Sequence, residues 1–342
     1  MMNERILNHY LDEFRSGFDV DSTEAETLFE ALISGEDQFL LTEMLSAWND
    51  KGTTEEELFA FASIMRSRMK NVVSKHKAVV DAVGTGGSSA KTFNVSTAAA
   101  FVIAGAGVPV AKHGNRAATS NSGSSDVLSA LGINVDIDPA ETQRHLDEHG
   151  LCFMFAPRFH SLSRTLAGAR RSIGRPTIFN NLGPLCNPAS AQHQVIGVWD
   201  TELLDKTANV LAKLGTKRSW VVHGENGLDE ISLSGKTQVA EVNGENVAHF
   251  EITAADFDIY TLGKNLPSKC SPEQSAETIR DILGNKMKDR DAERLVLVNA
   301  AAAIYIAGNA ASLTEAYKQA EMSIREGAAV NKLNKLAAES SK

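Results

Sequence analysis

Two short apolar runs, Ala78–Val83 and Val108–Ala111, each break into a loop of glycines and small hydroxyl residues, and each loop opens a helix-like stretch. The first passes through GTGG into STAAAFVIAGAG, the second through KHGNRAATSNSG into SDVLSALG. Further apolar runs follow as LCFMFA, VIGVW and SWVVHG. Strands alternating with helices predict a mostly parallel sheet covered on both faces, an α/β fold. Ligands of such sheets gather at the carboxyl ends of the strands, where these loops lie.

The flanks differ from this pattern. The first 70 or so residues show helical spacing: Thr23-x-x-Glu26 and Thr54-x-x-Glu57 are capping-box patterns ahead of apolar runs, and Gly35 is a helix stop. This predicts a small all-helical unit at 1–72 ahead of a large α/β unit. Asn243-Gly244 between TQVAEV and NVAHFEI predicts an antiparallel hairpin on the sheet. The C-terminal third returns to helices, through the Ala-rich run Arg294–Gly308 and a last helix from Leu313.

Composition narrows the class. A net charge of −9 disfavours nucleic acid as a partner. No apolar run is long enough to cross a membrane, and the polar start MMNERILNHYLDEF lacks the features of a signal peptide. Cys152, Cys186 and Cys270 are widely spaced and form neither a disulfide framework nor a zinc pattern. A cytoplasmic protein is expected.

Four segments carry chemistry. Asp81–Thr97 brings a glycine loop to a helix start at Ser96-Thr97, where free N–H groups can receive a phosphate. It matches neither GxxxxGK[ST] nor GxGxxG, and GTGG alone is equally a tight turn. Lys112–Asp126 supplies cations and hydroxyl donors suited to a pyrophosphate; a solvated loop with a Ser-rich helix cap is the plainer alternative. Asp229-Glu230 in GLDEIS can hold Mg²⁺ beside a phosphate, or form an acidic surface turn. Phe153–Pro188 is dense in Gly and Pro, as in a hinge; its Arg170 can pair with a carboxylate or simply face solvent.

These segments, GTGG…TFNVST, KHGNR…SGSSD, RR-x-x-G-x-x-TIFN-x-LGPL-x-NPA and HG…GLDEIS, stand in the order found in anthranilate phosphoribosyltransferases, which this chain resembles most strongly from Asp81 to Ser232. The resemblance implies transfer of a phosphoribosyl group from phosphoribosyl pyrophosphate (PRPP) to anthranilate, Mg²⁺ as cofactor, a homodimer formed through the helical domain, and an active site in the interdomain cleft. It also implies that 165–190 returns to the helical domain of 1–72, so that the large α/β domain is made of 73–164 and 191–342. It places Gly84, Gly87, Ser88, Thr92, Asn94, Val95, Ser96, Thr97, Lys112, His113, Gly114, Asn115, Arg116, Ser120 and Ser124 around PRPP. It places Gly84, Asn115, His160 and Arg170 around anthranilate, and Ser96, Asp229 and Glu230 at the metal. Lys112, Arg170 and His113 become the candidate catalytic residues.

Two departures stand out. Where the family usually has Asp after GTGG this chain has Ser88, followed by Ser89 where Gly is common; where the family usually has Lys in the serine-rich loop it has Asn121. The charges lost are opposite in sign. A transferase with another acceptor, or a non-catalytic relative that binds nucleic acid or protein on the same scaffold, are the competing readings; Arg170 argues against the first and the retained Asp229-Glu230 pair against the second.

Overall fold

A computed structural model describes residues 2–88, 90, 92–117, 122–260, 266–287 and 290–340. It opens with four helices, α1 (Met2–Arg15), α2 (Ala25–Ser34), α3 (Gln38–Lys51) and α4 (Glu55–Arg68). The capping box at Thr54 forms as expected: its side chain accepts from Glu57 N, and Glu57 accepts from Thr54 N. The one expected at Thr23 does not. Thr23 is drawn into a turn with Asp21, whose Oδ1 takes both its N–H and its hydroxyl, so α2 starts after Glu24 without a side-chain cap.

The sheet then builds with helices between its strands: β1 (Val80–Gly84), α5 (Val95–Gly105), β2 (Val110–Gly114), α6 (Ser124–Ala130), α7 (Pro139–His149), β3 (Leu151–Phe155). Three helices intervene, α8 (Ala156–Phe159), α9 (Arg164–Ile173) and α10 (Ile178–Leu185), before β4 (His193–Gly197), α11 (Glu202–Lys213) and β5 (Arg218–Gly224). β6 (Thr237–Asn243) and β7 (Asn246–Ile252) form the expected hairpin, with Gly244 at φ 61°. The strand order is β3-β2-β1-β4-β5-β6-β7. β1 to β5 are parallel; β6 and β7 are antiparallel. From β1 the chain winds outward to β3, then returns to the other side of β1 as β4. The switch point therefore lies between β1 and β4, whose ends Gly84 and Gly197 are in register.

Helices α12 (Pro272–Leu283), α13 (Asp291–Ile306), α14 (Leu313–Arg325) and α15 (Ala328–Glu339) complete the chain. The single last helix expected from Leu313 is broken at Gly327, where a φ of 74° ends the right-handed run.

Two large cores flank the sheet, with a smaller cluster of Ala111, Cys152, Met154 and Phe159 beside β2 and β3. One packs α5 and α13 against one face. The other is continuous from α1–α4 through Leu166, Ala169, Phe179 and Leu182 of α9 and α10 to α11 and the opposite face. Leu28, Leu32 and Phe61 are fully enclosed in this second core and so are core residues of the single chain; Phe59 packs at its margin.

Candidate active site

The carboxyl ends of β1, β2 and β3 face α9 and α10 across a cavity of about 550 Å³. Its first wall is the glycine loop. Gly84, Gly87, Ser88, Thr92, Asn94, Ser96 and Thr97 all line it. The loop is tied down at several points: Thr85 Oγ1 donates to Gly197 O, and Asn180 Nδ2 of α10 donates to Thr85 O at 3.1 Å. Gly87 has φ 88°, and a Cβ there would meet Pro176 Cγ at 2.4 Å. Helix α5 begins one residue earlier than expected, at Val95, with Asn94 as its N-cap. Val95 is the one described PRPP candidate that does not line the cavity; its side chain is in the core and its N–H donates to Phe93 O.

The second wall corrects the reading of Lys112. Lys112 and His113 belong to strand β2, not to the loop after it. Lys112 is buried; its ammonium donates to Ala82 O and to Ser96 Oγ at 3.2 Å. Burial lowers its pKa, and the facing Asp81 and Glu230 oppose that shift. The loop proper starts at Gly114, where a Cβ would strike Ser124 Oγ at 2.2 Å, so glycine brings α6 against the strand end. Asn115, Arg116 and Ser124 line the opening. Ser122 Oγ donates to Asn94 Oδ1 at 2.9 Å and links this loop to the glycine loop. Ser89, Ser120 and Asn121 lie outside the described residues.

Asp229 and Glu230 enter over the switch point. The Asp229 backbone packs so tightly on Gly197 that a Cβ there would lie 1.7 Å from Asp229 O, and a Cβ at Gly84 would lie 2.7 Å from Asp229 Oδ2. Gly197 is thus a site-forming residue that sequence reading missed; the only signal was a glycine inside an apolar strand, which marks close backbone approach. Asp229 is raised in pKa by burial, which the N–H of Gly86 and the Ser88 hydroxyl partly oppose. Glu230 is raised further, by burial and by Asp229 beside it. The Ser96 N–H, at the start of α5, bonds to Glu230, yet Glu230 Oε2 has no partner. Two adjacent buried carboxylates with an unmet oxygen, next to a serine hydroxyl, form a hard oxygen donor set that suits Mg²⁺.

The third wall comes from α8–α10. The His113 ring, from β2, and the His160 ring, just beyond α8, lie 5.1 Å apart. Burial pushes His113 down to about 3 and His160 down to about 4, so both are neutral at ordinary pH. His113 Nδ1 lies 2.9 Å from Gly183 O, so it carries the proton and leaves Nε2 as an acceptor. Both Nε2 atoms are buried and unpartnered. Arg170 projects from the last turn of α9 over the Phe179 ring, its guanidinium carbon 5.3 Å from the centroid. Its Nε is out of solvent without a partner, and burial lowers its pKa to about 10. Among the described residues no carboxylate pairs with it. An unpaired guanidinium at a cavity wall is complementary to an anion from outside the chain. Phe179, Asn180 and Pro184 also line this end; TIFN-x-LGPL was visible in the sequence, but spacing alone could not say which of its residues face inward.

A family model described as the a/b domain of a glycosyl transferase family matches residues 76–330. An anthranilate phosphoribosyltransferase of Myxococcus xanthus is 44% identical over 295 residues, covering 86% of this chain and 86% of the relative. The crystal structure of the anthranilate phosphoribosyltransferase of Thermus thermophilus has a TM-score of 0.84 at 33% identity, covering 97% of this chain and 99% of that one. That of Saccharomyces cerevisiae, in complex with PRPP and Mg, has a TM-score of 0.87 at 26% identity, covering 98% of each chain.

Proposed function

This chain belongs to the anthranilate phosphoribosyltransferase family, and from that premise we propose that it transfers the 5-phosphoribosyl group of PRPP to the amine of anthranilate. The products are N-(5-phosphoribosyl)anthranilate and pyrophosphate, the second step of tryptophan biosynthesis. The observation that carries this reading is the pairing in one cavity of a phosphate-type cradle with an unpaired guanidinium, Arg170.

In the transfer the bond from the anomeric carbon to pyrophosphate breaks and a bond to the amine nitrogen forms, with loss of an amine proton. The glycine loop, the start of α5 and Lys112 hold the departing pyrophosphate; the ammonium compensates the charge that gathers on it. Ser96, Asp229 and Glu230 would hold Mg²⁺, which supplies further compensation of that charge when bound. Arg170 pins the anthranilate carboxylate, and Gly84 and Asn115 complete that end. The aryl amine is a nucleophile when neutral, so no strong base is required. His113 Nε2 and His160 Nε2, both unprotonated or unpartnered, accept its N–H and fix its direction. Residues 1–72 and 165–190 act as one body against 73–164 and 191–342, and closure of the cleft excludes water from the reactive sugar.

The chain works as a homodimer through its helical unit, a reading supported by Met2, Phe18 and Phe39, which are 75%, 60% and 75% exposed there. Its three buried free thiols suit the reducing cytoplasm. No described helix is long and apolar enough to cross a membrane.

Anthranilate fluorescence with purified protein, PRPP and Mg²⁺ tests the function. A decline that requires both PRPP and Mg²⁺ is expected. PRPP binding without any decline would point to another acceptor, and absence of both would leave a non-catalytic relative.

A further inference from the structure

The sheet is interrupted beside the site. β1 and β4 pair along their whole length, as do β2 and β3, but β1 and β2 share a single pair, Val80 with Val110. Beyond it the strands part, and side chains meet the backbone groups that a ladder would have joined. The Asp81 carboxylate accepts the His113 N–H at 3.3 Å and the Ala82 N–H. Asn187 Nδ2 donates to Ala111 O at 2.9 Å and to Asp81 Oδ2 at 2.8 Å. Lys112 Nζ donates to Ala82 O. Asp81, Lys112 and Asn187 are 0%, 2% and 0% exposed.

An uninterrupted ladder would satisfy the same backbone groups without burying two charges, which is unfavourable unless something is gained by it. What the interruption provides is a slot for the ammonium. Lys112 lies in the gap and reaches Ser96 at the cavity wall. Neither Asp81 nor Asn187 lines the cavity. Asn187 reaches the gap from the turn that follows α10.

We propose that Asp81 and Asn187 are positioning residues for the PRPP end of the site: together they keep β1 and β2 apart and hold the Lys112 ammonium at the cavity wall. This rests on the transfer reading above. They act through Lys112 and touch no substrate.

Asp81→Asn and Asn187→Ser are to be compared with wild type, each alone and in a Lys112→Met background. PRPP is varied at saturating anthranilate, then the reverse, with thermal midpoints alongside. Each single change should raise the KM for PRPP by about tenfold while the KM for anthranilate stays within about twofold. In the Lys112→Met background neither should add anything, since residues that act through one another are not additive. Equal changes in both KM values, an unchanged PRPP KM in a folded variant, or additivity with Lys112→Met would each overturn the proposal. If Asp81→Asn does not fold, Asn187→Ser, which keeps a donor, carries the test. Wild type that consumes no anthranilate refutes the transfer reading instead; PRPP affinity by calorimetry on the same variants then decides this one.

Discussion

Replacing Arg170 by Met separates the two ends of the cavity. Methionine keeps an unbranched apolar stem against Phe179 and removes only the guanidinium. In the wild type that group has a ring face on one side, an unmet Nε and no carboxylate partner among the described residues. A bound carboxylate would take two charge-assisted bonds from it. Removing one partner of a buried pair costs about 3–5 kcal/mol, because the other charge is left unmet. That corresponds to a fall of roughly 10²- to 5 × 10³-fold in kcat/KM for anthranilate. PRPP is held at the other wall, so its own KM should change by less than about threefold. The assay follows anthranilate fluorescence with each substrate varied in turn. A second readout has the opposite sign: in the absence of substrates the variant should melt higher than wild type, because an unpaired buried charge is gone. A loss shared equally by both substrates would refute the assignment of Arg170 to the carboxylate. A lower midpoint for the free variant would refute the claim that the guanidinium is unpaired.

Gly197→Ala sets a Cβ 1.7 Å from Asp229 O and must displace the acidic loop; the Mg²⁺ concentration for half-maximal activity should rise about tenfold or more, and an unchanged titration would show that the loop does not hold the metal. His113 and His160 are lowered from 6.5 to about 3 and about 4, so each takes up a proton on unfolding below the ordinary value. Their contribution to stability is full above about pH 6.5 and falls as the pH drops toward those values; thermal midpoints should decline across this acid range, less steeply in His160→Asn, and identical slopes would count against the burial of a neutral ring. Glu339 on α15 is lowered from 4.5 to about 2, chiefly by the Arg144 hydrogen bond and then by His149. Its contribution is present above about pH 4.5 and lost as the pH falls through about 2. Glu339→Gln should therefore lower the midpoint by a few degrees at neutral pH, with the gap closing in acid; a constant gap would mean that the charge is not involved.

The α/β frame was legible because its signals are local: apolar runs, glycine breaks, and the Asn243-Gly244 turn. The site was legible in part for the same reason, since the loops that form it follow strands directly. What could not be read depends on contacts between distant segments. Lys112 reads as a loop cation because its strand continues past the apolar run; only Asp81 and Asn187, 106 residues apart, make a buried ammonium tenable in a sheet. Gly197 goes unread inside VIGVW because what packs on it, the Asp229 backbone, comes from a later segment of the chain. Thr23 shows the reverse case: a valid local pattern lost to a nearer competitor, Asp21. The expected last helix from Leu313 misses the break at Gly327, which is a matter of one backbone angle.

The unmet polar atoms along the cavity, on Glu230, His113, His160 and Arg170, have a consequence outside catalysis. A chain whose interior valences are completed by its substrates is less stable without them. Ligand present at a hundred times its dissociation constant adds about 2.7 kcal/mol to the folded state. The lifetime of this protein in a cell should then follow the supply of phosphoribosyl donor and divalent cation: a well-fed cell keeps it, and a starved cell exposes it to proteases sooner.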